Sequence, residues 1–233
     1  MAEIVNKTAL IVGSGPGISA SVARALAGQG YRLALAARNP DKLRDLAAET
    51  GAATFEVDAS SPAAVSQLFK DAQDAIGLPE VVLYNAAGRL RGPLEALDPE
   101  TVRRVLEVSA YGGFLVAQQA AKRLVPLARG AILLTGATAS VKGFANSAAF
   151  AIGKFGLRGL AQSAARELAP KGVHVAHFVI DGAVRSAERP DPATAPDSTL
   201  DPDAIAQTYL AVLAQPRSAW TWEVELRPYV EVF

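Results

Sequence analysis

The sequence lacks cysteine and has no excess of either charge, because 23 lysines and arginines balance 23 aspartates and glutamates. Without cysteine there are no disulfides and no thiolate chemistry, which fits the reducing cytoplasm. The balanced charge indicates neither a nucleic-acid partner nor an anionic membrane surface. No apolar run approaches the roughly 20 residues that cross a bilayer, and the N-terminal MAEIVNKT lacks the features of a signal peptide. We therefore expect a cytoplasmic protein that binds neither membranes nor nucleic acid.

A glycine-rich stretch, TALIVGSGPGIS, runs from Thr8 to Ser19 and joins a short apolar run to the start of a helical pattern. Gly13 can form the tight turn after a strand, and Gly17 lets backbone amides approach a pyrophosphate. The helix that follows would direct its positive end at that anion. Ser19 stands where a loop of this spacing carries a third glycine. The stretch predicts a dinucleotide-binding turn, with a purely structural glycine turn as the alternative.

Apolar strands and amphipathic helices alternate six times along the chain, which is typical of a parallel sheet with helical crossovers. Three helices should begin with a capping residue followed by proline, and the third should continue to about Ala128; the pairs are Asn39-Pro40, Ser61-Pro62 and Asp98-Pro99. After the strand at Thr8, strands are expected at Tyr31 to Ala36, Ala53 to Val57, Val81 to Tyr84, Ala131 to Leu134, Val173 to Ile180 and Thr221 to Leu226. We predict an α/β fold with a single doubly wound, Rossmann-type parallel sheet and helices on both faces, forming one domain over residues 1–233. Ligands of such sheets bind beyond the carboxyl ends of the strands.

The pattern lapses from Ala187 to Pro202, where prolines alternate with small polar residues. Because this segment follows the sixth strand, we expect a substrate lid over about residues 187–202, with a surface linker as the alternative. A helix from about Pro202 to Ala214 and a last strand then complete the chain at 202–233.

The order of these features resembles the short-chain dehydrogenase/reductase family over nearly the whole chain. The resemblance depends on five stretches: Gly13 to Ile18, Asp58 after the third strand, Asn85 to Gly88, Lys154 after the fifth strand, and Asp181 to Ser186 after the sixth. It implies that the cofactor is held at the phosphates, adenine, riboses and carboxamide by Gly13, Ser14, Gly17, Ile18, Asp58, Asn85, Ala86, Lys154, Gly182, Val184 and Ser186. Asp181 stands where the family has proline.

Arg38 follows the second strand, at a position where the type of side chain indicates whether NADP or NAD is preferred. A carboxylate there would accept the ribose 2′-hydroxyl of NAD, whereas a guanidinium can pair with the 2′-phosphate of NADP. We therefore expect NADP(H) to be preferred, with NAD(H) as the alternative cofactor. The other interpretation of Arg38 is a solvated surface arginine.

The catalytic positions depart from the family pattern. The family's proton-donating tyrosine, four residues before the lysine, is Phe150 here, its serine is Ala137, and its asparagine corresponds to Ser109. Only Lys154 is kept. Positioned acid–base help is worth about 10² to 10⁴ in rate, and an oxyanion donor about 10² to 10³, so reduction of plain ketones should be severely slowed. The candidate catalytic positions are Lys154, Phe150 and Ser109.

Several residues offer replacements for the missing groups. Ser147, one turn before Phe150, could order a water, while Thr135 and Thr138 lie near the missing serine, with Thr138 expected on the opposite side of the strand. Tyr84 is better explained as a packed aromatic. Lys154 has two interpretations, ribose binding and direct proton donation. The two histidines, His174 and His177, are expected to be core or rim residues on opposite faces of a strand, and no metal site is predicted.

These observations favour an NADP-preferring oxidoreductase that transfers hydride between the cofactor and a small organic carbonyl, imine or conjugated substrate. The alternative is a nucleotide-binding protein without turnover, acting as a sensor or a non-catalytic subunit. We also expect a homodimer or homotetramer, because small residues suited to close helix contacts occur on the two helices that the family pairs, at Gly112, Gly113, Gly153, Gly156 and Gly159. The last strand should present Trp222, Val224 and Leu226 on one apolar face that needs cover.

Overall fold

The computed structural model describes residues 4–231, so both ends of the predicted 1–233 domain lie outside the described residues. Seven strands form one sheet in the order β3-β2-β1-β4-β5-β6-β7, and every neighbouring pair is parallel. The strands are β1 Thr8–Val12, β2 Arg32–Ala37, β3 Ala53–Glu56, β4 Val81–Tyr84, β5 Ala131–Thr135, β6 His174–Ile180 and β7 Glu223–Leu226. The order reverses between β1 and β4, which is the point where doubly wound sheets open a ligand crevice. The predicted fold is confirmed.

Helices cover both faces of the sheet. They are α1 Ile18–Gly28, α2 Arg44–Thr50, α3 Pro62–Ile76, α4 Pro99–Leu106, α5 Gly112–Leu124, α6 Ala148–Leu168 and α7 Pro202–Leu213. One core joins the sheet to α3, α5 and α6, and a second joins the opposite face to α1, α2 and α7. Because both faces are covered, β1, β4, β5 and β6 are buried along their whole length.

The three predicted capping residues are confirmed. The side chain of Asn39 accepts a hydrogen bond from the Asp41 amide, that of Ser61 from the Ala64 amide, and that of Asp98 from the Thr101 amide. A proline follows each cap, at the first helical position, where a backbone N–H would have no partner within the helix. The first of these starts is a 3₁₀ turn, Pro40–Leu43, that leads into α2.

The long helix predicted after Asp98 is interrupted. A π-helical segment, Glu107–Tyr111, separates α4 from α5. Tyr84 on β4 donates its hydroxyl to the Val108 carbonyl of this segment, and a Cβ at Gly112 would collide with that hydroxyl. The interruption therefore depends on a tertiary contact between β4 and the helix.

Most of the glycines expected to serve association pack helices together within the chain. A Cβ at Gly113 would strike Leu157, one at Gly153 would lie 2.6 Å from Ser109 Cβ, and one at Gly156 would lie 3.2 Å from Ala110 Cβ. These glycines let α6 approach α5 and the π-helical segment. These three elements expose four large apolar side chains, Tyr111, Phe114, Ile152 and Phe155.

The single apolar face predicted for the last strand does not form. The strand begins at Glu223, and Val224 and Leu226 pack into the core beside α7. Trp222 precedes the strand and packs against the opposite core, under the Arg158 guanidinium. The prediction was wrong because Trp222 lies outside the regular alternation of β7.

The segment predicted as a lid is tied to the turn after β6. Val184 and Leu200 form a parallel β-bridge, and the Arg185 guanidinium pairs with the carboxylates of Asp191 and Asp201. Asp191 also accepts hydrogen bonds from the amide and hydroxyl of Thr199. Across residues 4–231, no helix has both the length and the apolar character to cross a membrane.

Candidate active site

A cavity of about 820 Å³ opens at the carboxyl edge of the sheet. Its walls come from the glycine-rich loop, the segments after β4, β5 and β6, and the start of α6; they include Gly15, Pro16, Gly17, Ile18, Asn85, Arg89, Arg91, Thr135, Ala137, Thr138, Phe144, Ser147, Phe150, Lys154, Gly182, Val184 and Arg189. The structure thus brings together residues from the glycine-rich loop, the Asn85 motif, the Lys154 helix and the turn after β6, as the sequence predicts.

The glycine-rich loop is closed by side chains as well as by backbone. Gly13 has a φ of 85°, a value that favours glycine, and its carbonyl accepts a 3.1 Å hydrogen bond from Ser19 Oγ. Asn85 Nδ2 donates to the same Ser19 oxygen over 2.7 Å. Any side chain on Gly13 would collide with the backbone of Ala86. Ser19 therefore replaces a glycine of the loop with a buried hydrogen-bonding bridge to β4.

The start of α1 fits a pyrophosphate. No side chain caps the helix at Gly17, and its first turn contains no acidic residue. A Cβ built on Gly15 or Gly17 would meet nothing within 4 Å, so both backbones face open space in the cavity. Uncapped amides at the positive end of a helix are the donors that an anionic phosphate requires.

Lys154 lies at the floor of the cavity, with only 3% of its surface exposed. Its Nζ donates a 2.7 Å hydrogen bond to the Thr135 carbonyl at the end of β5. Burial, with a smaller contribution from the charge of Arg89, lowers the pKa of Lys154 to about 7. Its ammonium is therefore a much stronger acid than that of an ordinary lysine.

Phe150, in the position of the family's tyrosine, has two basic side chains near its ring. The guanidinium carbon of Arg89 is 5.3 Å from the ring centroid, and Lys154 Nζ is 5.9 Å from it. Both distances fall within the range of cation–π attraction. Arg89 was not predicted from the sequence, where its one signal is its place directly after the Asn85 to Gly88 motif.

Of the two threonines considered as replacements for the serine, Thr135 has its hydroxyl engaged in the core, while Thr138 lines the cavity. The Thr135 hydroxyl is paired with the Tyr209 hydroxyl over 2.8 Å in the core. Thr138 was predicted to lie on the strand, and that prediction was wrong. β5 ends at Thr135, and Thr138 begins a 3₁₀ turn, Thr138–Ser140. The Ala137 amide donates to Ser140 Oγ over 3.1 Å, and Ser147 lines the cavity.

Two other candidates lie outside the cavity wall. Ser109 is fully buried, and its Oγ accepts a 3.0 Å hydrogen bond from the Gly88 amide. Tyr84 is fully buried, and burial raises its pKa. Its interpretation as a packed aromatic is confirmed.

The remaining cofactor candidates surround the same edge. Arg38 and Asp58 are exposed beyond β2 and β3. Hydrogen bonds from the Ser60 hydroxyl and amide lower the pKa of Asp58, and the charge of Arg38 has a smaller effect in the same direction. Ser14 Oγ donates to the Ile11 carbonyl, and Ser186 Oγ to Glu188 Oε2. None of these four side chains forms part of the cavity wall as the structure describes it between residues 4 and 231.

The histidines are core residues, as predicted. His174 Nε2 donates to the Thr221 carbonyl over 2.8 Å, and its ring stacks on Trp220. His177 Nδ1 donates to Glu223 over 3.0 Å, and burial lowers the pKa of His177 to about 4. Both histidines therefore sit in the packed sheet away from the cavity wall.

Comparisons with known proteins agree with this geometry. Residues 7–189 match the family model described as short chain dehydrogenase. The chain is 27% identical to an uncharacterized oxidoreductase of Staphylococcus aureus strain N315, covering 98% of this chain and 100% of that protein. A short-chain dehydrogenase structure from Rhodopseudomonas palustris is 35% identical, with a TM-score of 0.83 and coverage of 97% and 100%. A metagenomic short-chain oxidoreductase in complex with NADP is 28% identical, with a TM-score of 0.84 and coverage of 97% and 98%.

Proposed function

The chain belongs to the short-chain dehydrogenase family, and from that membership and the cavity we propose that it is a cytoplasmic NADP(H)-dependent oxidoreductase. The observation that carries the proposal is the arrangement along one cavity: uncapped amides of α1 at one end, and the buried Lys154 beside Phe150 at the other. The NADP-bound relative and Arg38 support NADP(H) over NAD(H). The lack of cysteine supports the reducing compartment.

The residues of the cavity suit a bound dinucleotide. Gly13, Ser14, Gly17 and Ile18 would surround the pyrophosphate, because the backbone at Gly17 faces open space in the cavity. On the adenosine side, Arg38 would pair with the 2′-phosphate while Asp58, Asn85 and Ala86 contact adenine and ribose. Around the nicotinamide, we assign Gly182, Val184 and Ser186 to the carboxamide and Lys154 to the ribose. NADPH, when bound, supplies a hydride to an electron-poor carbon.

The substrate must be reactive towards hydride without much help from the protein. Phe150 has no proton to donate, and the Ala137 side chain has no hydrogen bond to offer. We therefore propose a small carbonyl, imine or conjugated substrate that is electron-poor enough to accept hydride without a tyrosine. Lys154 Nζ lies 5.9 Å from the Phe150 ring centroid, and its lowered pKa suits a supporting role in proton transfer. Ser109 would act indirectly, by holding Gly88 and the segment that carries Arg89.

Residues 187–202 would serve as a substrate lid, anchored by Arg185 and Asp191. The exposed apolar side chains on α5, α6 and the π-helical segment would be covered in a homodimer or homotetramer.

A substrate panel with NADPH tests the proposal. It should compare matched pairs of saturated ketones and conjugated enones, using NADPH that carries deuterium at the transferable position. We expect deuterium to appear on the enone's β carbon and little turnover of the ketones. Equal or faster reduction of the ketones would contradict the proposal.

The second candidate is a nucleotide-binding protein without turnover. Phe150 and Ala137 favour it, since both remove groups that the family uses for chemistry. It predicts that NADPH binds but that no member of the panel gains deuterium.

A further inference from the structure

The cavity wall is strongly basic. Arg89, Arg91, Arg189 and Lys154 line it, and no aspartate or glutamate of the described part of the chain does. Arginine stays protonated at any physiological pH. Within residues 4–231, none of these three arginines forms an ion pair with a carboxylate. Glu188, the neighbour of Arg189, directs its carboxylate to the Ser186 hydroxyl instead. A cavity with uncompensated positive charge attracts an anion.

The phosphates of the proposed cofactor do not account for Arg89. The pyrophosphate would lie at Gly15 to Ile18, and the 2′-phosphate at Arg38, which is outside the cavity wall. Arg89 instead contacts Phe150, the position at which the family's proton donor meets the substrate. Its charge is therefore available to a group on the substrate.

The position of the Arg89 side chain is already restricted before such a group binds. Its guanidinium packs on the Phe150 ring at 5.3 Å. The segment that carries it is linked to the loop before α6 by a 3.1 Å hydrogen bond from the Gly92 amide to the Asn146 carbonyl. A guanidinium whose position is already restricted loses less freedom when it binds a ligand.

We propose that the substrate is a conjugated carbonyl compound bearing a carboxylate, and that Arg89 binds this carboxylate. The inference rests on the proposed function and chooses among its substrate classes. A protonated imine is disfavoured because its positive charge would face three arginines. A planar carboxylate matches the two-pronged donor geometry of a guanidinium.

The reaction balances without a tyrosine. The β carbon of the substrate accepts hydride and forms a new C–H bond, while the alkene electron pair moves to give an enolate. The enolate's negative charge lies in a basic cavity, which stabilises it. Water then donates a proton to the α carbon, so that the alkene is reduced by two electrons and the nicotinamide is oxidised by two.

Binding of trans-cinnamate and cinnamamide to the NADP⁺-loaded protein tests the inference by calorimetry. The two probes have nearly the same shape, and only the acid carries a charge. We expect cinnamate to bind more tightly than the amide by about tenfold to a hundredfold, and Arg89→Gln to remove this difference. Because Arg89 is exposed, the variant should fold normally. Arg189→Gln removes the same charge from the same cavity and should preserve most of the preference.

Three results would overturn the inference. They are equal or absent binding of the acid by the loaded wild-type protein, a preference for the acid that persists in Arg89→Gln, and displacement of cinnamate by inorganic phosphate as effectively as by acetate. Failure of NADP⁺ to bind the wild-type protein would instead contradict the proposed function, and the inference with it.

Discussion

The Nζ of Lys154 and the carbonyl oxygen of Thr135 are joined by a 2.7 Å hydrogen bond in the buried floor of the cavity. The bond holds the amine in a buried position, and the burial lowers the pKa of Lys154 to about 7. An unfolded chain would restore the ordinary value of 10.5. Folding therefore releases the lysine's proton between these two values.

The stability of the protein should rise with pH in this window. Between pH 7 and 9 the unfolded state holds more protons than the folded state, so the free energy of unfolding increases, by about 2 kcal/mol relative to Lys154→Met. Urea unfolding of both proteins at a series of pH values measures the difference. Lys171→Met, which changes an exposed lysine, controls for general charge effects. A difference that does not vary with pH would show that Lys154 stays charged in the fold.

Restoring the family's hydroxyl should restore ordinary ketone chemistry. In Phe150→Tyr the new hydroxyl would lie beside Lys154, whose Nζ is 5.9 Å from the Phe150 ring centroid. We expect kcat for saturated ketones to rise by about tenfold or more, and further when Ala137→Ser is added. Phe155→Tyr, an exposed position on the same helix, should change nothing. Unchanged ketone rates in the double variant would show that the proton donor is not what limits this site.

Arg38 should determine the preference for the phosphorylated cofactor. Arg38→Gln removes a charge-assisted contact to the 2′-phosphate, so NADPH affinity should fall by about tenfold or more while NADH affinity stays the same. Fluorescence titration with both nucleotides measures the ratio. Arg44→Gln, an exposed arginine at the start of α2, serves as the matched control. An equal loss of affinity for NADPH and NADH would show that Arg38 does not determine the cofactor preference.

Association should depend on the exposed apolar side chains next to the π-helical segment. Phe155→Glu places a charge on α6, one of the three elements that expose Tyr111, Phe114 and Ile152, so it should shift the mass measured by light scattering towards the monomer. Leu94→Glu alters a more exposed apolar residue outside these elements and should leave the mass unchanged. A wild-type monomer, or a Phe155→Glu oligomer of unchanged size, would contradict this interface.

Local patterns predicted the fold well because its determinants are local. Proline after a capping side chain marked helix starts at Ser61 and Asp98, and continuous apolar runs marked buried strands such as Val81–Tyr84. The π-helical segment was not predictable in this way, since it depends on Tyr84 reaching Val108 from a distant strand. Thr138 was misplaced because β5 ends three residues earlier, at Thr135.

The site residues that belong to a sequence motif were predicted. The contacts that form only when distant segments meet in the fold were not. Asn85 and Lys154 were found from their motifs, and the structure places both on the cavity wall. The bridge through Ser19 and the contact between Arg89 and Phe150 join segments distant in sequence. No periodicity or spacing encodes such contacts, so only the three-dimensional arrangement shows that the cavity is basic.

Titration of the purified protein with NADPH, NADP⁺, NADH and NAD⁺, followed by nicotinamide fluorescence and by heat, shows whether the cavity binds a dinucleotide. We expect saturable binding of the phosphorylated pair and weaker binding of the other two, because the uncapped start of α1, Arg38 and Lys154 would then all contact the nucleotide. Absence of binding by all four would contradict the assignment of the cavity to a dinucleotide.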